Sequence, residues 1–253
     1  MSYRYKLLAI PLLALLGGCS VLQGGKLYAP ESFGLIPVAP NLYVEPGTDE
    51  ATQTRLIAEM ATAERVIRAA YGDAKAHPVV HACITETCLE SFGGKGTLAK
   101  VYGNRILLSP RGLRWQLIVH EWSHAELSKR LSLSAWKRMP QWFDEGVAVA
   151  LSDAPEHSEA HWQYLVANNV SRPTREELLS FKTLSQWNDA VHRFGDGRNA
   201  ERRARGEPEI HSLYAAAGHE LRPWLASGGL LALIDRLNAG EEFDGVYRSL
   251  AKP

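Results

Sequence analysis

The amino-acid sequence predicts a mostly helical α+β fold with a small sheet in its N-terminal part. Long stretches repeat apolar residues every three or four positions, as one face of a helix requires. Two short aliphatic runs bounded by Gly, Pro or Asn have the composition of strands. No internal repeat is visible. Of the 253 residues 45% are hydrophobic, so the chain can build a substantial core.

The first residues carry a targeting pattern. Arg4 and Lys6 form a basic start, an apolar run follows over residues 7–16, and a small-residue segment ends at Cys19. The run is too short to span a bilayer as a mature helix. This pattern resembles a bacterial lipoprotein signal, which implies that residues 1–18 are removed and that Cys19 is acylated. Ser20 after the cysteine implies an outer-membrane anchor facing the periplasm.

Residues 19–48 are rich in Gly and Pro and have few apolar positions at helical spacing. They are therefore expected to form a lipid-anchored tether that passes into an extended segment. A single domain is predicted over residues 49–253. It begins with an amphipathic helix from Asp49 to Tyr71, which Gly72 ends.

The two aliphatic runs, residues 78–84 and 105–109, are predicted strands that precede the central helix. Cys83 and Cys88 remain as an even pair once Cys19 is acylated, and disulfides persist in an oxidising compartment. We expect a short-loop disulfide between them. A soft metal site is the alternative, although the chain has no second cysteine pair to complete it.

The central helix, predicted over residues 113–131, contains the segment His120-Glu121-Trp122-Ser123-His124. Residues four apart lie on one helix face, so both imidazoles can point at one ion with Glu121 beside them. A second helix, opened by Pro140, carries Glu145. Zinc in hydrolases prefers three protein ligands and an open position for water. His120, His124 and Glu145 are therefore predicted to bind one Zn²⁺ ion, with Glu121 as the general base.

These segments resemble the gluzincin group of zinc metallopeptidases, in which a Glu on the following helix completes H-E-x-x-H. Residues 142–148, WFDEGVA, look like the third-ligand segment of the aminopeptidase N-like branch. The resemblance covers residues 113–152 and implies a gluzincin-like α+β core with the sheet beside the metal helix. It also implies a peptidase for peptide or protein substrates, which in the cell envelope include cell-wall peptides. Thermolysin-like enzymes have an Asp where this chain has Val149, so the residue that orients a ligand histidine stays open, as does the choice between endopeptidase and exopeptidase.

Hydrolysis also requires a hydrogen-bond donor for the oxyanion. Tyr214 is the candidate, because residues 211–219 resemble the tyrosine-bearing helix of gluzincins, with small residues for close packing. The alternative is a tyrosine that only packs in the core. His211 and His219 are reserve donors. His157 and His161 are also four apart, but no glutamate follows His157, so they are expected on a solvated helix surface.

The C-terminal part repeats apolar residues over 213–226, 229–237 and 243–250, which predicts three helices. The polar stretch 195–208 is expected to be a solvated loop. The alternative is a lid over the site, whose arginines would suit a substrate carboxylate.

The charges of the chain balance, with 28 basic and 28 acidic residues, so no net field attracts nucleic acid. The two resemblances imply that the partners are a peptide or protein substrate in the cell envelope and, through Cys19, the membrane. A catalytically inactive zinc-binding lipoprotein with a binding or assembly role is the alternative function. Glu121 argues against this alternative, because zinc binding does not require it.

Overall fold

The computed structural model describes residues 23–195 and 197–251. Helices dominate, and they pack against a small mixed sheet of five strands, so the predicted α+β class is confirmed. The predicted lipoprotein signal and Cys19 lie outside the described residues. Within those residues, no helix combines the length and the apolar composition needed to cross a bilayer.

The sheet has the strand order β1-β2-β3-β5-β4. Strands β1 and β2 form one antiparallel hairpin, β4 and β5 form another, and β3 joins them by pairing in parallel with β2 and β5. Two of the strands match the predicted runs. The strands are β1 Ile36–Ala39, β2 Leu42–Val44, β3 Val79–Ala82, β4 Ala99–Tyr102 and β5 Arg105–Leu108.

Each face of the sheet is covered. Val80 and Ile106 alternate with His81 and Leu107, so the two pairs point to opposite faces. Val80 and Ile106 join the main core with the helices, while Leu107 belongs to a smaller core on the outer face. Residues 26–35 close this outer face through two 3₁₀ turns, Lys26–Tyr28 and Pro30–Phe33. We call residues 26–35 the N-terminal layer.

Residues 19–48 were expected to form a tether that passes into an extended segment, and β1 and β2 are indeed extended, but most of the described part packs into the domain instead of linking it to a lipid. Leu27 and Leu42 are fully buried, Leu35 is nearly so, and β1 and β2 belong to the sheet. The apolar residues that anchor this segment are too widely spaced to form a helical or alternating pattern. These residues are buried only because they pack against the assembled sheet, and the local sequence does not show that packing.

The helices agree with the predicted periodic stretches. The central helix α3 packs on α1 and α5, and α5 packs most extensively on α10. The remaining helices are short or lie at the C-terminal end. The helices are α1 Glu50–Tyr71, α2 Glu86–Ser91, α3 Trp115–Arg130, α4 Leu133–Arg138, α5 Gln141–Ser152, α6 Glu159–Ala167, α7 Arg175–Ser180, α8 Leu184–Phe194, α9 Asn199–Ala204, α10 Ser212–Ala226, α11 Leu230–Asn238 and α12 Phe243–Leu250.

Buried polar contacts hold α3 in place. The Glu126 carboxylate is fully buried and accepts hydrogen bonds from the backbone N–H groups of Lys75 (2.8 Å) and Ala76 (2.7 Å) and from Arg130 Nε (2.6 Å). The Trp122 indole N–H donates to the carbonyl of Ala76 at 3.0 Å. Satisfied buried networks of this kind fix one arrangement of the backbone. The rotation of α3, and thus the direction of its histidines, is set by these contacts.

Cys83 and Cys88 form a disulfide, with their Cα atoms 5.5 Å apart, in the small core beneath the N-terminal layer. The Glu45 carboxylate lies beside them, but it accepts hydrogen bonds from the N–H groups of Ile84 and Thr85. A metal would need free thiolates. The arrangement therefore supports a structural disulfide and gives no support to the alternative metal site.

Candidate metal centre

Three predicted ligands converge between helices α3 and α5. The Nε2 atom of His120 lies 3.5 Å from Oε2 of Glu145, and the Nε2 atom of His124 lies 3.7 Å from the same oxygen. Ligand atoms of the three residues all lie within 4.8 Å of one another. The helix spacing that placed both histidines on one face of α3 thus brings them to a single carboxylate of α5.

This donor set fits zinc. Nitrogen and oxygen ligands about 2.0–2.1 Å from a tetrahedral zinc ion lie about 3.3–3.5 Å from one another. The two distances to Glu145 Oε2 are close to that separation. This oxygen is buried and has no hydrogen-bond partner among the described residues. A buried carboxylate oxygen without a partner is costly, and a cation between it and the imidazoles would satisfy it.

Neighbouring side chains orient two of the ligands. Gln141 Nε2 donates a hydrogen bond to Oε1 of Glu145 at 3.1 Å, which leaves Oε2 directed at the histidines. The Nδ1 atom of His124 lies 2.9 Å from Oδ1 of Asp144. Metal-bound histidines commonly have a carboxylate at their second nitrogen. Asp144, which directly precedes the predicted ligand Glu145, therefore lies where a residue that orients His124 would lie, the position that the sequence left open at Val149.

The protonation of the site reflects its charges. Burial would lower the pKa of His124, but the carboxylates of Asp144 and Glu145 outweigh it and raise that pKa to about 10. Burial would raise the pKa of Glu145, but His124 and His120 lower it. Three buried carboxylates, those of Glu121, Asp144 and Glu145, surround the two imidazoles. The surplus of negative charge favours a divalent cation at this position.

Glu121 lies beside the ligands without joining them. It is buried, and burial is the main cause that raises the pKa of its carboxyl group. The residue lines two cavities that meet at the candidate centre. A carboxyl group with a raised pKa next to an open cavity has the properties of a general base that later returns its proton.

The two cavities provide room for a substrate on both sides of His120. One has a volume of about 670 Å³ and the other about 510 Å³. Strand β4, at the edge of the sheet, borders both cavities. Residues shared by the two are Thr97, Ala99, His120, Glu121 and Tyr214.

Tyr214 on α10 is brought to the site as expected. Its ring centroid lies 6.3 Å from that of His120, and the residue lines both cavities. Burial raises the pKa of the phenol, so the hydroxyl keeps its proton at neutral pH. The ring also packs edge-on against Trp187 at 5.3 Å. The structure thus places Tyr214 both as a donor candidate and as a packing residue.

His157 and His211 adjoin this tyrosine. His157 is buried in a 3₁₀ turn, its ring stacks on Tyr214 at 5.0 Å, and it lies 6.4 Å from the ring of His120. His211 contacts His157 edge-on at 5.2 Å. Burial, together with His211 and His120, lowers the pKa of His157 well below its ordinary value, so its imidazole is neutral at pH 7. His211, expected as a reserve donor, also lines the larger cavity.

Two expectations about histidines are corrected. His157 and His161 do not lie on a solvated surface, because both are buried. The chain turns back after α5 at Asp153, which has a left-handed backbone, and this return brings His157 to the site. The spacing of residues in the sequence could not have predicted this position of His157. His219 faces away from the site, since it stacks on Trp162 and lies 3.0 Å from Glu159.

The described residues of the polar stretch 195–208 are mostly exposed, as expected, but they are not entirely a loop. Its described part contains helix α9, and Asn199 and Arg203 line the larger cavity. Nη1 of Arg203 lies 2.9 Å from Oε2 of Glu209, whose Oε1 lies 3.0 Å from Nη1 of Arg111. This end of the cavity therefore contains two guanidinium groups joined by one carboxylate.

Comparisons of the chain with protein-family models, with curated proteins and with solved structures find no match.

Proposed function

We propose that the chain is a zinc-dependent peptidase of the gluzincin type. One observation carries the proposal: Nε2 of His120 and of His124 approach the same oxygen of Glu145, which forms no hydrogen bond within the described residues, and Glu121 borders the adjoining cavities. Its substrates would be peptides or proteins of the cell envelope, including the peptide part of the cell wall. The alternative, an inactive zinc-binding lipoprotein, would use the same three ligands but would not need Glu121.

Zinc, when bound by His120, His124 and Glu145, polarises the scissile carbonyl and acidifies the attacking water. Glu121 accepts the proton of that water as its oxygen attacks the carbonyl carbon. The same carboxyl group then delivers the proton to the leaving amine nitrogen. Its raised pKa suits both steps, because a carboxyl group with a pKa nearer neutrality both takes and returns a proton readily.

Tyr214 would stabilise the negative charge that develops on the carbonyl oxygen. A protonated phenol can donate a hydrogen bond to this oxygen, and the raised pKa keeps the proton on Tyr214. The neutral imidazole of His157 supports the tyrosine ring from one face. The small residues of α10 let Tyr214 approach the metal helices.

We also propose that Cys19 carries the lipid anchor and that the protein acts at the outer membrane, facing the periplasm. The support is the sequence pattern that ends at Cys19 and the disulfide between Cys83 and Cys88, which suits an oxidising compartment. In this proposal the lipid anchor holds the domain at the membrane, and the domain contains the metal centre beside the edge strand β4.

The variant Glu121→Gln tests the enzymatic proposal. The amide cannot take a proton, but it keeps the size of the side chain and leaves the three ligands intact. We expect one zinc per chain by elemental analysis and a loss of peptide cleavage of about 10²–10⁴-fold. Glu64→Gln, at an exposed glutamate that pairs with Arg68 on α1, is the matched control and should keep full activity.

The outcomes separate the alternatives. A Glu121→Gln variant that still cleaves peptides at the normal rate contradicts the catalytic role. A variant that fully replaces the wild-type protein in cells favours the inactive zinc-binding alternative. If the wild-type chain and His124→Ala hold the same amount of zinc, the metal site itself is wrong.

The substrate class needs a separate measurement. The purified chain is incubated with a diverse peptide library and with purified cell-wall fragments, with and without a chelator. Cleavage of either substrate that the chelator stops would identify the class. The position of the cut bonds would separate endopeptidase from exopeptidase activity.

A further inference from the structure

The outer surface of the N-terminal layer combines exposed apolar rings with positive charge. Three of the eight large hydrophobic side chains that are exposed in the described residues lie within nine positions: Tyr28 (61% exposed), Phe33 (50%) and Ile36 (41%). Single exposed apolar residues are normal, but this spacing makes a patch. We call the patch and its adjoining cations the N-terminal face, which consists of Lys26, Tyr28, Phe33, Ile36, Lys100 and Arg105.

The cations of this face lie directly on aromatic rings. Lys26 Nζ lies 5.5 Å from the Phe33 ring centroid, and the Arg105 guanidinium lies 4.8 Å from that of Tyr28. Lys100 Nζ lies 4.8 Å from the ring of Tyr102. Cation–π pairs at this spacing keep the charge next to the apolar surface. Rings and cations therefore form one surface.

The charges of these cations are not balanced by nearby carboxylates of the described residues. None of Lys26, Lys100 and Arg105 forms an ion pair within the described part of the chain, whereas Arg130 and Arg236, for example, both pair with carboxylates. Lys26 donates to the carbonyl oxygen of Ser91, and Glu31 is the acidic residue that lies within the layer. A surface with aromatic rings and unpaired cations suits the interface of a bilayer with anionic headgroups.

The predicted lipid anchor at Cys19 lies only a few positions before this face in the sequence. Gly24 is buried against the ring of Tyr102, where a β-carbon would lie 2.6 Å from the ring. Gly24 lies five positions after Cys19, with four residues between them. A fully extended chain of this length spans roughly 17 Å at most, which is less than the thickness of a small domain. An acylated Cys19 would thus keep the N-terminal face within reach of the headgroups.

The catalytic cleft opens beside the same face. Gly103 lies in the turn between β4 and β5, next to Tyr28. A β-carbon built on Gly103 would lie 3.0 Å from the Tyr28 hydroxyl oxygen. Gly103 and Lys100 also line the smaller cavity, together with Glu121 and Glu145. One hairpin therefore borders both the N-terminal face and the candidate centre.

We propose that the N-terminal face lies on the headgroup layer of a bilayer containing anionic lipid, so that the cleft opens next to the membrane surface. This inference rests on the proposed acylation of Cys19 and is independent of peptidase activity. Tyr28, Phe33 and Ile36 enter the interface, while Lys26, Lys100 and Arg105 contact lipid phosphates. Substrates would then reach the cleft from the zone close to the membrane.

The experiment uses the full lipidated chain in vesicles of phosphatidylcholine with about 30% phosphatidylglycerol. A nitroxide label is placed at Phe33→Cys and, in a separate control, at Leu231→Cys, an exposed position on α11. Collisions with lipid-soluble oxygen and with a water-soluble nickel complex report where each label lies. We expect the label at 33 to favour oxygen several-fold more than the label at 231. Adding Lys26→Glu and Arg105→Glu should return the label at 33 to water.

Each outcome decides a different point. If the label at 33 is as accessible to nickel as the label at 231 on a chain with an acylated Cys19, the proposed face is wrong. If mass spectrometry finds Cys19 without acyl groups, the anchor and the proposed face are both overturned. A chain that does not cleave peptides but has its label at 33 in lipid overturns the proposed peptidase and supports the face.

Discussion

Two adjacent carboxylates have different tasks at the candidate centre. Glu145 presents Oε2, which forms no hydrogen bond within the described residues, to the Nε2 atoms of both histidines. Asp144 contacts His124 on the opposite side of its ring, at Nδ1. A carboxylate in this position orients the imidazole and adds negative charge near the cation without ligating it. If the proposed zinc site is correct, the charge of Asp144 should therefore contribute to metal affinity.

We predict that Asp144→Asn weakens zinc binding by about 10–100-fold, as loss of such a partner typically does. The Asp144 carboxylate also stabilises a proton on His124, and this proton competes with zinc. Substitution of Asp144 therefore weakens the attraction for zinc but also weakens the competing proton. The loss of attraction for zinc is the larger effect, because the carboxylate attracts a divalent cation more strongly than a single proton. Competition with a chelating dye measures the dissociation constant.

Asp153→Asn is the matched control for this prediction. Asp153 is exposed at the end of α5 and pairs with Arg222, remote from the ligands. Its substitution should leave zinc affinity unchanged. An unchanged affinity in Asp144→Asn would show that the contact with His124 does not support the metal.

Tyr214→Phe separates the two roles of this tyrosine. The phenyl ring preserves the stacking on His157 and the contact with Trp187, but it removes the hydroxyl group. If the hydroxyl stabilises the oxyanion, we expect kcat to fall by about 10²–10³-fold with little change in KM or zinc content. Tyr164→Phe, at a ring that stacks on His161, is the control. An unchanged kcat in Tyr214→Phe would assign the tyrosine to packing alone.

Local spacing explains which site residues could be predicted. His120, Glu121 and His124 lie within about one helix turn, so helix geometry predicts that they share one face. Glu145 lies on another helix, and its place beside them was expected from the resemblance of residues 142–148 to a third-ligand segment. His157 was missed, because the turn at Asp153 that returns it to the site has no signature linking it to α3. The role of Asp144 depends on the angle between α3 and α5, which the sequence does not state.

At the level of elements, the crossing of α5 and α10 determines the position of both Glu145 and Tyr214. Two glycines lie at this crossing. A β-carbon at Gly146 would lie 3.0 Å from Cγ of Leu221 and 3.1 Å from the carbonyl oxygen of Ala217. A β-carbon at Gly218 would lie 2.5 Å from Cγ1 of Val149. The helices approach this closely because both glycines lack a side chain.

We predict that Gly146→Ala destabilises the protein by about 1–3 kcal/mol, the usual cost of overpacking. Alanine gains up to about 1 kcal/mol in helix propensity, which offsets part of this cost. The carbonyl of Ala217 belongs to the backbone, so α10 must shift and Tyr214 shifts with it. Urea denaturation measures the free energy of unfolding, and kcat should fall in parallel.

Gly245→Ala is the control for this prediction. Gly245 lies in α12 with no atom within 4 Å of a β-carbon position, so the same substitution should stabilise the protein. If Gly146→Ala were as stable as the wild-type protein, the close approach of α5 and α10 would not constrain the site.

The elements that could be predicted are those with a local pattern. The long helices and strands β3 and β5 follow from apolar periodicity or from short aliphatic runs. Strands β1, β2 and β4 have three or four residues each and acquire their partners only in the assembled sheet. The N-terminal layer was missed for the same reason, since Leu27 and Leu35 are buried only against the outer face of that sheet.

At the scale of the whole molecule, the sheet connects the candidate metal centre with the N-terminal layer. Its edge strand β4 borders the cavities at the candidate centre, and its outer face packs against the N-terminal layer. His81 lies at the centre of this connection, fully buried in β3 and stacked on Tyr43 at 5.6 Å. Its Nδ1 atom lies 3.1 Å from the carbonyl oxygen of Ile106, so a proton on Nδ1 is donated to β5.

The burial of His81 predicts how acid affects the whole fold. Burial lowers the pKa of His81 to about 4, whereas an unfolded chain has the ordinary value of 6.5. Between these values the unfolded state binds more protons than the folded state, so the free energy of unfolding decreases as the pH falls. The contribution of this residue is fully present above pH 6.5, and its loss by pH 4 amounts to about 3 kcal/mol at most.

The variant His81→Gln removes this titration and should therefore flatten the pH dependence. Urea denaturation at about pH 7 and about pH 5 gives the free energy of unfolding of both proteins. We expect the wild-type protein to lose more stability than His81→Gln over this interval, while His192→Gln, at an exposed histidine of α8, should behave as wild type. Because His81 lies under the N-terminal layer, an equal loss in all three proteins would mean that this layer opens before the sheet unfolds and hydrates the imidazole.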